Sequence, residues 1–163
     1  MPPPQETTPG EVRKLVLVQV GLTALFLVVI FVLLDGLDAD RPAIWLMILP
    51  LLVLALGAFL AERSWLRVAP LTANAPDPES AGLAAFVSHT LRKFVLCEGA
   101  LLICVILAFV SDRAGWLVVI AGVPGLAVLA FEAWPSARNL SLTAAMLDAQ
   151  GAESRLLETF ETA

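Results

Sequence analysis

The sequence predicts an all-α integral membrane protein: four transmembrane helices in two tandem hairpins, with amphipathic helices on the cytoplasmic side. Three observations predict it. First, 59% of the 163 residues are hydrophobic, only 15% are charged, and the mean hydropathy is +0.86. A soluble domain is about 45–50% apolar and about 25% charged. Second, four apolar runs are long enough, or nearly so, to cross a bilayer. Third, the two halves of the chain share a pattern of basic, aromatic and proline residues. The composition also excludes a disordered chain. A net charge of −5 argues against nucleic acid as a partner, because nucleic-acid binding needs a basic face.

Residues 1–12 read as a disordered, Pro-rich tail. The tail lacks the basic start of a secretory signal, and the apolar run behind it is too long for one. Residues 13–67 form the first hairpin, with spans at 15–34 and 43–61. Each residue of a helix rises about 1.5 Å, so about 20 apolar residues cross the hydrocarbon. Gln19 and Thr23 are the polar interruptions of the first span, and the second carries no charge. Residues 68–91 read as a cytoplasmic loop and an amphipathic helix. Asp77 offers an N-cap, Pro78 the first helical position, and Glu79 a charge suited to the dipole. From there Leu83, Phe86, Val87, Leu91 and Phe94 recur at helical spacing. The expectation is a helix lying on the membrane surface that runs into the third span. Residues 92–134 form the second hairpin, with short spans at 94–110 and 116–131. Residues 135–163 read as a helical tail. In it Leu140, Ala144 and Leu147 share a face, Gly151 ends the helix, and Leu156, Leu157 and Phe160 follow. These faces suit the membrane interface, a partner, or the protein's own bundle.

Orientation follows from the basic flanks. Arg13 and Lys14, then Arg63, Arg67, Arg92 and Lys93, then Arg138 and Arg155 fall on one side; only Arg41 and Arg113 fall on the other. Both termini and the middle loop are therefore expected in the cytoplasm. Trp45, Trp65, Trp116 and Trp134 lie at the ends of the second and fourth spans, where indoles anchor in the headgroup layer. The basic pair Arg92 and Lys93 is expected among anionic headgroups.

The halves align. Arg13-Lys14-Leu15-Val16-Leu17-Val18-Gln19 matches Arg92-Lys93-Phe94-Val95-Leu96-Cys97-Glu98 at an offset of 79. Asp40-Arg41 before Trp45 corresponds to Asp112-Arg113 before Trp116, and Pro50 corresponds to Pro124. Each unit enters and leaves from the same side, so the repeats are parallel.

Glu98 is the candidate for chemistry, because an ionisable residue inside a span is costly and usually functional. It lies about 7–8 Å past Lys93. Three outcomes are open: a hydrogen bond to its counterpart Gln19, a reach to the interface, or a proton or ion site. Pro50 and Pro124 are expected to kink their helices. Ala121 and Gly125 form a small-residue step for close packing. Cys97 and Cys104 are about 10 Å apart along one helix, too far for a mutual disulfide, and read as packing residues. His89, the only histidine, has no second ligand at metal spacing. No catalytic, haem or phosphate-binding motif occurs, and no cofactor is expected.

A basic residue, an apolar turn and then Gln or Glu (Arg13 to Gln19, Arg92 to Glu98) resembles small uncharacterised bacterial inner-membrane proteins. So does the ending from Trp134-Pro135-Ser136 to Leu147-Asp148-Ala149-Gln150-Gly151. The likeness covers about half the chain and implies no activity. A more remote likeness is to the duplicated proteolipid subunits of rotary ATPases, which also hold a carboxylate in a membrane hairpin. Here, however, the carboxylate is in the first helix of its hairpin and near the membrane edge. Arg outnumbering Lys, with abundant Ala, Leu and Val, suggests a GC-rich bacterial source.

The function expected is that of a non-enzymatic plasma-membrane protein. It would be an accessory or scaffolding subunit whose partners are the lipid bilayer and another membrane protein or itself. The alternative is a proton- or ion-coupled transport component that uses Glu98.

Overall fold

The computed structural model of the chain describes residues 8–34, 36–37, 43–111 and 114–162. These form six α-helices: α1 (Pro9–Leu33), α2 (Ile44–Arg63), α3 (Pro78–Val110), α4 (Ala114–Ala133), α5 (Ala137–Leu147) and α6 (Leu156–Glu161). Two 3-10 turns, Ser64–Arg67 and Asp148–Gln150, complete them. The stretches around Arg41 and Arg113, and residues 1–7 of the tail, lie outside the described residues.

Helices α1 to α4 are long and apolar enough to cross a membrane, which points to a multi-pass membrane protein. Their surfaces agree with this. Leu17, Val32, Ile44, Val95, Val110 and Val123 are among many large apolar side chains left exposed on these four helices. A water-soluble protein rarely shows such a contiguous apolar surface.

The helix α1 starts before the boundary expected from hydropathy. Thr8 accepts a hydrogen bond from the Glu11 backbone, and the Glu11 carboxylate accepts one from the Thr8 backbone. This capping box satisfies two donors that the helix end would otherwise strand. Residues 9–12 are therefore helical, not part of a disordered tail. At the other end of α1, Gly36 takes a left-handed backbone (φ +63°).

The helix α3 is one uninterrupted element of 33 residues. At about 1.5 Å per residue it runs to about 50 Å, well beyond a hydrocarbon layer of about 30 Å. Asp77 caps it by accepting from the Ser80 backbone. Its first half does not present its apolar face to a bilayer. Leu83 and Phe86 instead pack with Leu140, Ala144, Leu147, Leu156 and Phe160, and with Val12 of α1. The faces of α5 and α6 are thus spent on the protein's own core and are not free for a partner. Ser136 caps α5 by accepting from the Asn139 backbone. Gly151 (φ +83°) then turns the chain, and Asp148 accepts from the Ser154 backbone to hold that turn.

Two further clusters fill the bundle. Val16, Ala61, Phe94, Cys97, Leu129 and Ala133 lie in one. Leu27, Leu54, Ala100, Leu101, Cys104, Ala108, Leu117 and Ala121 belong to the other. Helices α3 and α4 pack as a close hairpin, and α2 packs on both. Helix α1 packs on α4 and touches α3. Helices α1 and α2 do not pack closely on each other, so the first pair is not a hairpin of the same kind as the second. The reason is the narrowness of their buried stripes. On α2, only Pro50, Leu54, Gly57 and Ala61 are buried. A Cβ placed on Gly57 would stand 2.6 Å from the Ala100 Cβ, and one on Gly125 would stand 2.3 Å from the Leu101 side chain. Glycine at these points lets α2, α3 and α4 approach closely.

Candidate functional site

Two polar clusters lie within the apolar body. The first joins α1 to α3. Gln19 Nε2 donates to Glu98 Oε2 at 3.4 Å, and Thr23 Oγ1 donates to Glu98 Oε1 at 3.1 Å. The Thr23 hydroxyl is also 3.1 Å from the Gln19 carbonyl oxygen. Thr23 is buried, while Gln19 and Glu98 are half-buried. Gln19 and Thr23 are four residues apart and so share one face of α1. The structure thus brings together Gln19 and Glu98, the residues aligned at the offset of 79. Thr23, visible in the sequence only as a polar interruption, is their third member. A small void beside Glu98 is lined by Phe26, Leu27, Leu101, Leu102 and Val105.

The second cluster lies at the end of the bundle that carries the basic flanks. Lys93 Nζ donates to Glu132 Oε2 at 2.8 Å, with side-chain exposures of only 4% and 7%. It also donates to Asn139 Oδ1 at 3.4 Å. Arg138 donates to the same Asn139 oxygen at 3.2 Å and pairs with Glu62. The Glu62 carboxylate holds the Arg138 guanidinium protonated above its ordinary range. The Asn139 Nδ2 points at the carbonyls of Phe131, Glu132 and Trp134, at 3.1, 3.1 and 2.8 Å. Carbonyls at a helix C-terminus lack helical partners, and Asn139 supplies them for α4. One connected set of side chains therefore ties α2, α3, α4 and α5.

This cluster corrects the reading of Lys93 as a headgroup anchor. Its neighbour Arg92 is exposed, but Lys93 is turned inward by the helix phase, because Phe94 and Cys97 on the same face are core residues. Glu132, excluded from the spans by its charge, is inside α4 and buried. The signal available in sequence was the pair of charges at the same end of adjacent spans. Asn139 carried no signal beyond its place one turn into α5.

The remaining residues are distributed as follows. Arg13 donates to the Phe160 carbonyl oxygen at 3.0 Å and lies 5.8 Å from the Phe160 ring centre. Lys14 is exposed. Trp45 is exposed near the start of α2, and Trp116 is partly buried near the start of α4. Trp65 lies in the first 3-10 turn and Trp134 follows α4. Pro50 and Pro124 are inside α2 and α4. The Pro50 carbonyl oxygen accepts from the Cys104 thiol at 3.5 Å. Beside it, an apolar cleft of about 360 Å³ is lined by Leu46, Leu49, Leu107, Val110 and Leu117. Cys97 and Cys104 are buried and unbridged. His89 is buried, and its Nδ1 has no hydrogen-bond partner.

The first cluster can accept and share a proton, or hold two helices together by hydrogen bonds. The second can lock α2, α3, α4 and α5 to one another. Compared with known proteins, the chain matches no family model, no curated protein and no solved structure.

Proposed function

We propose that the chain is a polytopic protein of a bacterial plasma membrane, with both termini in the cytoplasm. In this reading it acts without catalysis, as an accessory or scaffolding subunit of a membrane complex or of a homo-oligomer. The observation that carries the reading is the packing of α1 and α2. Each buries one narrow stripe against α3 and α4 and leaves broad apolar flanks, and the two scarcely meet. Such flanks suit lipid and a second set of helices. Among the described residues the two buried charges, Lys93 and Glu132, are paired with each other. The two aligned halves are consistent with a parallel repeat, in which Gln19 and Glu98 are equivalent positions that face each other.

Cross-linking in intact membranes, followed by purification in a mild detergent, tests this. The expected result is a defined homo-oligomer or a stoichiometric membrane partner. A lone monomer under both conditions would count against the reading.

A second reading is favoured by one observation. Glu98 sits between α1 and α3 where their packing is thin, with hydrogen-bonding groups on both of its oxygens. An intramembrane carboxylate in that setting suits a proton- or ion-coupled path. Proton or cation flux into proteoliposomes should then fall by about a hundredfold or more in Glu98→Gln, the scale typical for loss of a positioned proton-transfer group. Equal flux in the two proteins, or none in either, removes this reading.

A further inference from the structure

The fold pairs some of its cations with carboxylates and leaves others without one. Lys93 and Arg138 are in ion pairs, Arg13 is bound to a carbonyl, and Arg155 lies 3.8 Å from Glu153. Among the described residues, no carboxylate lies within 4 Å of Lys14, Arg63, Arg67 or Arg92, and all four are exposed.

Three of these four belong to one seam. Glu62 leaves α2 on the flank that reaches Arg138 of α5. At about 100° per residue, Leu60 lies about 160° round the helix from Glu62, and Arg63 lies between them on the exposed side, about 60° from Leu60. Arg67 stands in the 3-10 turn that packs on both α3 and α5. On α3, the Leu96 carbonyl faces Gly57 of α2, 3.4 Å from where its Cβ would lie. Arg92 is one turn before Leu96 and so flanks the same seam. The surface beneath these arginines is apolar. Leu60 and Val95 are exposed, and a Cβ built on Gly99 meets nothing within 4 Å, so the helix surface there is uncrowded.

We infer that the basic end of the α2–α3 seam is a binding site for an anionic phospholipid. The phosphate lies against Arg63, Arg67 and Arg92, and an acyl chain runs over Leu60 and Val95 past Gly99. Guanidinium groups match phosphate oxygens with paired donors. The phosphodiester stays charged, so it is matched by cations that the protein leaves unpaired. Arg63 also lies 5.0 Å from the Phe59 ring centre, which holds its stem along the apolar surface. The inference rests on the chain being membrane-embedded, as proposed above.

The test uses the full chain in a neutral detergent. Phosphatidylglycerol or phosphatidylcholine with identical acyl chains is titrated in, and the midpoint of thermal unfolding is read. Phosphatidylglycerol should raise the midpoint more than phosphatidylcholine does. The half-saturating amount should rise about fivefold for each arginine replaced, as expected for one cation near an anionic surface. The excess should vanish in R63Q/R67Q/R92Q and persist in K14Q. Should the triple variant fail to fold, R67Q alone must weaken the phosphatidylglycerol response, and an unchanged response overturns the inference. Retention of the excess in a folded triple variant overturns it too, as does an equal excess from inorganic phosphate. Equal stabilisation by the two lipids leaves the membrane reading intact but removes the anionic site.

Discussion

Replacing Lys93 with Met is expected to destabilise the protein by about 3–5 kcal/mol, because it strands Glu132 as a buried, unpaired charge. Glu132 is buried and has Lys93 as its ion-pair partner at 2.8 Å. Glu132→Leu should cost a similar amount, since it leaves the Lys93 ammonium with only the Asn139 oxygen at 3.4 Å. The double variant K93M/E132L should recover most of the loss. A buried pair replaced by apolar groups of similar volume is often neutral or better, because the desolvation cost of both charges disappears. The measurement is a denaturant midpoint for the detergent-solubilised protein in all four forms. Strict additivity of the two single losses would show that the pair does not act as a unit.

Gly57→Leu should have a comparable effect for a steric reason. Carbon atoms pack at about 3.5–4.0 Å, yet a Cβ on Gly57 would stand 2.6 Å from the Cβ of Ala100. Both atoms are fixed to helix backbones, so no rotamer relieves the contact. Alanine at position 57 should cost about 1–2 kcal/mol and leucine about 3, as α2 is pushed off α3. Ala100→Gly should rescue Gly57→Ala in part, because it removes the opposing methyl. Gly21→Ala is the control, since nothing lies within 4 Å of its added carbon. If Gly21→Ala and Gly57→Ala shift the unfolding midpoint equally, the seam is not as close as described.

The spans were legible because a helix that meets lipid must be apolar on every side, and that condition is local. Ile44 to Arg63 and Ala114 to Ala133 therefore follow from runs of letters. The cap at Asp77 and the stop at Gly151 were legible for the same reason: capping is a matter of a few adjacent residues. The Thr8–Glu11 capping box was equally local, but the prolines around it suggested a tail. What could not be read was helix phase against a neighbour. Lys93 faces inward and Arg92 outward, a difference of one residue that no local rule decides. Nor could sequence show that Leu83, Phe86, Leu147 and Phe160 would find each other rather than a bilayer. Apolar surface is nonspecific, and only the spatial arrangement of the elements assigns its partner. At the candidate site, the alignment of Gln19 with Glu98 came from the repeat pattern. The place of Thr23 needed the geometry of α1 against α3.

The bond from Arg13 to the Phe160 carbonyl spans 147 positions of sequence, and the bonds from Gln19 and Thr23 to Glu98 span 79 and 75. A ribosome makes the chain in the opposite sense to its closure. The first helix emerges with its glutamine and threonine in place, but their carboxylate partner arrives two helices later. The residue that bonds Arg13, near its start, arrives only with α6. Contacts this distant in sequence are slow to form. Helix α1 is thus completed only after α3 and α6 have been made, although it precedes both in the chain, and until then Arg13, Gln19 and Thr23 lack these partners.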